Sequence, residues 1–116
     1  MINGIHALMY AKNAKKARAF FRDVLGFDGV DAGEGWLIFA LPPAEIGIHP
    51  SDGTEEQFAL YFMCEEVNAT IAELKKKKVK CTKVMDTGWG LLTSFKVPGA
   101  GKIGMYQPKH PLAHKK

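Results

Sequence analysis

Hydrophobic residues near the start of the chain follow first the period of a strand and then the period of a helix. Residues 4–11 alternate as a strand does and divide their side chains between two faces: Ile5, Ala7 and Met9 on one, His6, Leu8 and Tyr10 on the other. A helix should follow over residues 14–25, where apolar residues recur at intervals of three and four. Asn13 is a good N-cap, and Gly26 can end the helix with a positive φ, so a strand should begin at Phe27.

In the remainder of the first half, glycine and proline residues separate short apolar segments that are predicted to be strands. Gly33 and Gly35 predict a hairpin turn, and residues 36–41 form a nearly continuous apolar strand that the following two prolines end. Residues 45–49 suggest one more strand, and residues 50–56 have the composition of a polar linker. The first half therefore has the predicted order βαβββ.

The second half repeats this order with almost no repeated sequence. A strand over residues 57–64 has two faces: Phe58, Leu60, Phe62 and Cys64 on the helix side, Ala59, Tyr61 and Met63 on the other. The next elements are predicted at the following ranges: a helix at 67–77, strands at 79–84, 91–97 and 103–107, and a hairpin at 98–101. The prediction is α+β, a single domain made of module 1 (about 3–50), the linker (about 50–56), module 2 (about 57–108) and a tail (109–116).

Composition narrows the class of protein. The 116 residues are 47% hydrophobic and 24% charged, which suits one globular unit. The net charge is +4, yet six of the sixteen basic residues lie at Lys75–Lys78 and Lys115–Lys116 without interleaved aromatic residues, so no nucleic-acid partner is expected. No apolar run reaches the roughly 18 residues of a membrane span, and a signal-peptide pattern is missing, so we expect no membrane partner and a cytoplasmic location. Cys64 and Cys81 have no metal-ligand spacing and are expected to be reduced.

Three segments resemble one known family when taken in order. They are AFFRDVLGF, FMCEEVNATIAELKKKKVK and FKVPGAGKIGMYQPKHP. Over residues 3–111 the chain resembles the vicinal oxygen chelate superfamily, the group of glyoxalases, bleomycin resistance proteins and extradiol dioxygenases. The resemblance implies two βαβββ modules whose mixed sheet curls around a cavity, usually in a homodimer, with a divalent metal in many of the enzymes.

The resemblance also supplies a test for metal binding. It places the ligands of the enzymes on the first, fifth and eighth strands, which correspond here to His6, Ala59 and Gly104. Only His6 has a donor atom, and a catalytic metal site needs about three protein ligands. We therefore expect no cofactor and no metal, while a site rebuilt from Glu34, Glu45 or His49 remains an alternative. His110 and His114 lie in the tail and receive no role.

The side chains expected to face the cavity suggest a binding site for an organic molecule. The candidate ligand-binding residues are His6, Tyr10, Trp36, Phe39, Tyr61, Met63, Trp89, Phe95 and Tyr106. Core packing is an equal alternative for Trp36, Phe39, Trp89 and Phe95, because the apolar strands that hold or border them do not reveal which face is buried.

Three functions remain open at this point. The first is a metal-free small-molecule binding protein, possibly sequestering as resistance proteins do, whose ligand is uncharged or anionic because the chain is basic. The alternative is a metal-dependent, glyoxalase-like lyase or isomerase, or a dioxygenase, with a rebuilt metal site. A weaker alternative is a dimeric interaction module. Catalysis is not favoured, since the sequence has neither a phosphate-binding loop nor a nucleophile elbow.

Overall fold

The computed structural model describes Met1, residues 6–47 and residues 59–113. Contacts divide the chain into two compact units. The first comprises Met1–Phe39 with Val97–Gly101, and the second comprises Ala40–Lys96 with Lys102–Lys116. The predicted module boundaries at about residues 50 and 57 lie outside the described residues.

The first unit contains helix α1, Ala14–Asp23. The Asn13 side chain caps it by accepting a hydrogen bond from the Lys16 backbone N–H at 3.0 Å. Ala17 and Phe20 are the buried residues of its apolar side. The prediction of the helix and its cap is confirmed, and Gly26 has the expected positive φ of 74°.

A two-stranded antiparallel sheet follows, formed by β1 (Gly29–Asp31) and β2 (Leu37–Phe39). Its turn is stabilised by the Asp31 carboxylate, which accepts from the Gly33 backbone N–H at 2.7 Å. The Phe39 ring packs near the Phe21 ring of α1, with centroids 5.6 Å apart. The predicted hairpin turn is confirmed, and its second strand is shorter than the predicted 36–41.

The second unit has the complete βαβββ order. Its elements are β3 (Tyr61–Met63), α2 (Val67–Lys76), β4 (Met85–Asp86), β5 (Gly90–Lys96) and β6 (Lys102–Pro108). The four strands lie in the order β3-β6-β5-β4, with β3 parallel to β6 and the other pairs antiparallel. The α+β class with mixed sheets is thereby confirmed, and neither sheet of the described residues is closed.

Helix α2 covers one face of this sheet. Its first residue, Val67, is fully buried and donates its backbone N–H to the Gln107 side chain of β6 at 3.0 Å. Phe95, Ile103 and Met105 form the buried apolar part of the same face. The opposite face of the sheet is not covered by α2 and carries Gly104 and Tyr106 of β6.

Three predicted strands differ from the structure. Residues 6–11 and 45–47 are not in strands, and Leu8 and Tyr10 are exposed at 71% and 89%. The strand expected at 79–84 is reduced to one bridge between Cys81 and Phe95, and β4 begins later at Met85. A strand forms only where a neighbouring backbone accepts and donates its hydrogen bonds, and the apolar pattern alone does not supply that neighbour. Residues 2–5 and 48–58, which include parts of three predicted strands and the linker, lie outside the described residues, and of residues 59–64 only Tyr61–Met63 form a strand.

Among the described residues, no helix has both the length and the apolar character that crossing a membrane requires.

Candidate ligand-binding site

The strand register brings three predicted site residues of the second unit to one face. Tyr61 of β3 pairs with Gly104 of β6, and Met63 pairs with Tyr106. Paired residues of neighbouring strands project to the same side of a sheet, and alternate residues along a strand share that side. These four residues therefore lie on the face opposite α2, which we call the site face.

Two glycines make room for two tyrosine rings on and beside this face. A β-carbon built on Gly104 would lie 2.5 Å from Cε1 of Tyr61, and one built on Gly90 would lie 2.7 Å from Cδ2 of Tyr106. Both distances are shorter than any real contact between carbon atoms. The tyrosine rings thus occupy volume that only a glycine at each position leaves empty.

Tyr61, Trp89 and Tyr106 form the aromatic cluster of the site. Their ring centroids are 5.0–6.2 Å apart, and the rings meet edge to face at 79–87°, the geometry that aromatic pairs prefer. Tyr61 and Trp89 remain 45% and 40% exposed, whereas Tyr106 is buried at 9%. Within the cluster, the Tyr106 ring is buried, and the rings of Tyr61 and Trp89 have accessible surface.

A chain of polar groups lies along the hydroxyl of Tyr106. Its Oη is 3.0 Å from Nε2 of His110, and Nδ1 of His110 is 2.8 Å from the carbonyl oxygen of Pro111. The Glu45 carboxylate has Oε2 3.8 Å from the same Nε2, and its Oε1 accepts from the Ala113 backbone N–H at 2.9 Å. Burial raises the pKa of Tyr106, and the charge of Glu45 raises that pKa further. The phenol is consequently held in its protonated form.

Sequence reasoning missed the role of His110 and considered Glu45 only as a metal ligand. The pairing of the chain continues one residue beyond β6, because the Lys109 backbone N–H donates to the Trp89 carbonyl at 3.0 Å. His110 follows directly and reaches Tyr106, four residues earlier in the chain. The one feature of the sequence that could have predicted this contact is the four-residue spacing of Tyr106 and His110 around Pro108.

The remaining candidates lie elsewhere in the structure. Phe95 is 1% exposed and stacks on Phe62 with centroids 6.3 Å apart. It belongs to the face that α2 covers, so the core alternative holds for this residue and it does not line the site face.

Four other candidates belong to the first unit. His6 and Tyr10 are exposed and outside any strand, so the predicted strand alternation that was to direct them into a cavity does not apply. Phe39 packs on Phe21. Trp36 is 63% exposed, and the Arg18 guanidinium carbon lies 4.7 Å from its ring centroid, a cation–π contact.

The residues at the expected metal positions do not fit a metal ion. Ala59 and Gly104 have no donor atoms, and the ring of Tyr61 covers the place that a ligand side chain at Gly104 would need. Within the described ranges 6–47 and 59–113, no three His, Cys, Asp or Glu side chains are grouped as a metal site.

The two cysteines are half-buried free thiols. Burial raises the pKa of Cys64 and of Cys81, and near Cys64 the hydrogen bond from Thr70 acts in the opposite direction. Both environments disfavour the reactive thiolate.

Comparisons with known proteins identify the family and the fold of the chain. The family model described as Glyoxalase/Bleomycin resistance protein/Dioxygenase superfamily matches residues 5–103. A search of curated proteins found no match. Solved structures with a similar fold include TnmS3, an antibiotic binding protein from Streptomyces sp. CB03234, at 24% identity and a TM-score of 0.69, covering 93% of this chain and 98% of that one.

Two further structures are similar. One is a glyoxalase/bleomycin resistance protein from the same Streptomyces strain, at 24% identity and a TM-score of 0.59, covering 85% of this chain and 95% of that one. The other is a superfamily member from Sphaerobacter thermophilus, at 20% identity and a TM-score of 0.63, covering 90% and 97%. The likenesses to solved structures show a shared fold, and the family model shows the family. The chain belongs to the glyoxalase/bleomycin resistance protein/dioxygenase superfamily.

Proposed function

We propose that this protein binds a small, partly aromatic organic molecule on the aromatic cluster, without a metal ion. The observation that carries the proposal is the pair of accessible rings, Tyr61 and Trp89, held by a buried Tyr106 that is hydrogen-bonded to His110. Binding sites for organic molecules typically combine an apolar aromatic surface with a few polar groups that orient the ligand. The cluster has both parts.

The energetics favour a flat ligand. Each aromatic contact in an edge-to-face or offset-stacked geometry contributes about 0.5–1.5 kcal/mol beyond the burial of its area. Tyr61 and Trp89 are already fixed by mutual packing, so little side-chain freedom is lost when a ligand binds. The net charge of +4 favours an uncharged or anionic molecule over a cation at long range.

The relatives support a binding role. TnmS3, which shares the fold, is described as an antibiotic binding protein. The metal-dependent alternative needs donors that Ala59 and Gly104 lack, so we derive no catalytic step through a metal. The family resemblance suggests that the protein acts as a homodimer, which sedimentation equilibrium measures directly.

The experiment uses the two tryptophans of the chain, Trp36 and Trp89, as separate reporters. Their indole N–H signals in a ¹H–¹⁵N spectrum are assigned with the variants Trp36→Phe and Trp89→Phe. A panel of neutral and anionic aromatic compounds is then titrated, and we expect saturable shifts of the Trp89 signal with little change at Trp36. A panel that never shifts Trp89, or that shifts both signals equally, contradicts the proposed site.

A further inference from the structure

The pairing of β5 with β6 extends the site face beyond the aromatic cluster. Ser94 pairs with Gly104, and two residues further toward the hairpin Lys96 pairs with Lys102. Alternate residues of a strand project to the same side, so Ser94 and both lysines lie on the site face with Gly104. Next to its aromatic rings, the site face therefore carries a hydroxyl and then a pair of cations.

The two lysines face each other without a compensating charge. Lys96 and Lys102 are exposed and directly opposite, an arrangement of like charges that destabilises a pair of strands. In the part of the chain that the structure describes, no carboxylate oxygen lies within 4.0 Å of either ammonium nitrogen. The Lys109 ammonium, by contrast, is 2.7 Å from the Asp86 carboxylate. An anion bound between Lys96 and Lys102 would relieve their repulsion.

The lysine pair is close to the accessible ring of Tyr61. This ring covers the position of a side chain on Gly104, and Lys102 is the next residue of β6 on the same face. Alternate residues of a strand are about 6.6–6.8 Å apart. A lysine has a flexible four-carbon stem, so its ammonium can meet an acid group on a molecule whose ring contacts Tyr61.

The Ser94 hydroxyl lies in the row between the lysines and Tyr106 and can donate to an anion. Its Oγ is 3.0 Å from Oγ1 of Thr82, and either hydroxyl can be the donor in this contact. Thr82 Oγ1 also accepts from the Ser94 backbone N–H at 3.0 Å. When the Thr82 hydroxyl donates to Oγ of Ser94, the hydrogen of Ser94 is available to a ligand. The serine therefore gains a bond to an anion without losing its bond to Thr82.

The carboxylate near the cluster lies at the other end of the site face. Glu45 is 3.8 Å from Nε2 of His110, which contacts the Tyr106 hydroxyl. The Tyr106 ring lies against Gly90, the first residue of β5, whereas Lys96 is the last residue of this strand. The two ends of the face thus differ in charge, which orients an anionic molecule with its acid group toward the lysines.

We infer that the site takes aromatic anions, such as aryl carboxylates or aryl sulfonates, and holds their acid group between Lys96 and Lys102. The ring of the ligand lies on Tyr61 and Trp89, and the Ser94 hydroxyl donates to the acid group. The inference rests on the proposed function and narrows its ligand class. The lysine pair determines the specificity, because the aromatic rings alone accept neutral and charged molecules alike.

The test compares 2-naphthoate with 2-naphthamide, which has the same ring system and a neutral group of similar shape. Each is titrated at neutral pH and low salt into the ¹⁵N-labelled protein while the Trp89 indole signal is followed. We expect 2-naphthoate to bind about five- to tenfold more tightly, the range that ion pairs between exposed groups allow. Added sodium chloride should remove most of this preference, because it screens exposed charges.

A matched pair of lysine variants assigns the preference to the site face. Lys102→Gln should weaken the binding of 2-naphthoate about threefold and leave that of 2-naphthamide unchanged. The urea midpoint of this variant should be equal to or above that of the parent, since the repulsion with Lys96 is removed. Lys76→Gln makes the same change of net charge at an exposed position on α2, at the other face of the sheet, and should retain the full preference.

The possible results separate this inference from the proposed function. A Trp89 shift with equal or tighter binding of 2-naphthamide overturns the inference and leaves the binding site standing. An equal loss of preference in Lys102→Gln and Lys76→Gln shows that only the net charge matters, which also overturns it. If neither probe shifts Trp89, the inference is overturned as well, and the wider panel then decides the proposed function separately.

Discussion

The ring of Tyr61 lies where a side chain on Gly104 would lie. The two residues are partners in the parallel pairing of β3 and β6, and the family resemblance assigns the Gly104 position to a metal ligand in the enzymes. Here that position has no side chain, and the space beside it belongs to an aromatic ring. This relationship connects the missing metal ligand to the formation of the aromatic cluster.

Replacement of this glycine should disturb the cluster directly. Gly104→Ala introduces a β-carbon that overlaps the Tyr61 ring, and we expect a loss of about 1–3 kcal/mol in the free energy of unfolding. The Trp89 indole signal should also move, because Trp89 packs on Tyr61. Gly101→Ala is the matched control, since no atom lies within 4 Å of a β-carbon there. Urea denaturation that gives equal stabilities for the two variants would show that Tyr61 does not occupy this space.

The hydrogen bond between Tyr106 and His110 should contribute measurably to stability. Tyr106→Phe retains the ring packing and removes the hydroxyl that is hydrogen-bonded to Nε2 of His110, at a cost of about 0.5–1.5 kcal/mol. Tyr10→Phe serves as the control because Tyr10 is 89% exposed, and it should be neutral. An unchanged urea midpoint for Tyr106→Phe would contradict the described hydrogen bond.

The buried hydroxyl of Thr93 on the helix-covered face should contribute more to stability than the hydroxyl of its half-buried neighbour Ser94. Thr93 is 1% exposed and donates to the Thr82 carbonyl at 2.6 Å. Thr93→Val retains the shape and should lower the free energy of unfolding by about 0.5–1.5 kcal/mol, because the hydrogen bond from the buried Thr93 hydroxyl to the Thr82 carbonyl is lost. Ser94→Ala should have a smaller effect, since Thr82 Oγ1 still accepts from the Ser94 backbone N–H at 3.0 Å. Thermal unfolding of the two variants gives the order, and a reversed order would refute this explanation.

Stability should decrease at alkaline pH. Burial raises the pKa of Cys64 and Cys81 above their ordinary value of 9.0 and that of Tyr106 above 10.0. The folded state holds these protons more tightly than the unfolded chain, so the contribution is complete below pH 9 and is lost as pH rises through the raised values. Urea midpoints measured between pH 7 and pH 11 should fall at the upper end.

A variant with both cysteines replaced by serine distinguishes the contribution of the thiols to this pH dependence from that of the Tyr106 phenol. Cys64→Ser with Cys81→Ser removes both thiols, so only the raised pKa of Tyr106 remains. The pH at which stability begins to fall should therefore move from above 9.0 to above 10.0. An identical pH profile for the variant and the parent would show that the thiols do not contribute.

Sequence patterns were sufficient for the elements whose stability is local. Helix α1 follows from its apolar spacing and the Asn13 cap, and the alternation along residues 57–64 correctly places Tyr61 and Phe62 on opposite faces. The site face was therefore partly predictable. Tyr61, Met63 and Tyr106 could be placed on it from parity alone.

The remaining features depend on partners that are distant in the sequence. Both faces of residues 91–97 carry apolar side chains, so only the pairing of Phe95 with Ile103 shows that Phe95 is in the core. The prediction of the first strand was wrong for a related reason, because the alternation of apolar and polar residues does not identify a hydrogen-bonding neighbour. His110 lies outside any strand, and its place depends on the backbone hydrogen bond from Lys109 to Trp89.

The most direct test of a metal-free site is the metal content of the untagged protein after it is loaded with Ni, Zn, Mn, Fe or Co and then dialysed. Elemental analysis gives the number of ions retained per subunit, and His6→Ala serves as the control for the one expected ligand position that has a donor. We predict that no ion is retained in stoichiometric amount, because Ala59 and Gly104 supply no ligand and Tyr61 covers the third position. One tightly held ion per subunit that is lost in His6→Ala would contradict the account and establish a rebuilt metal site.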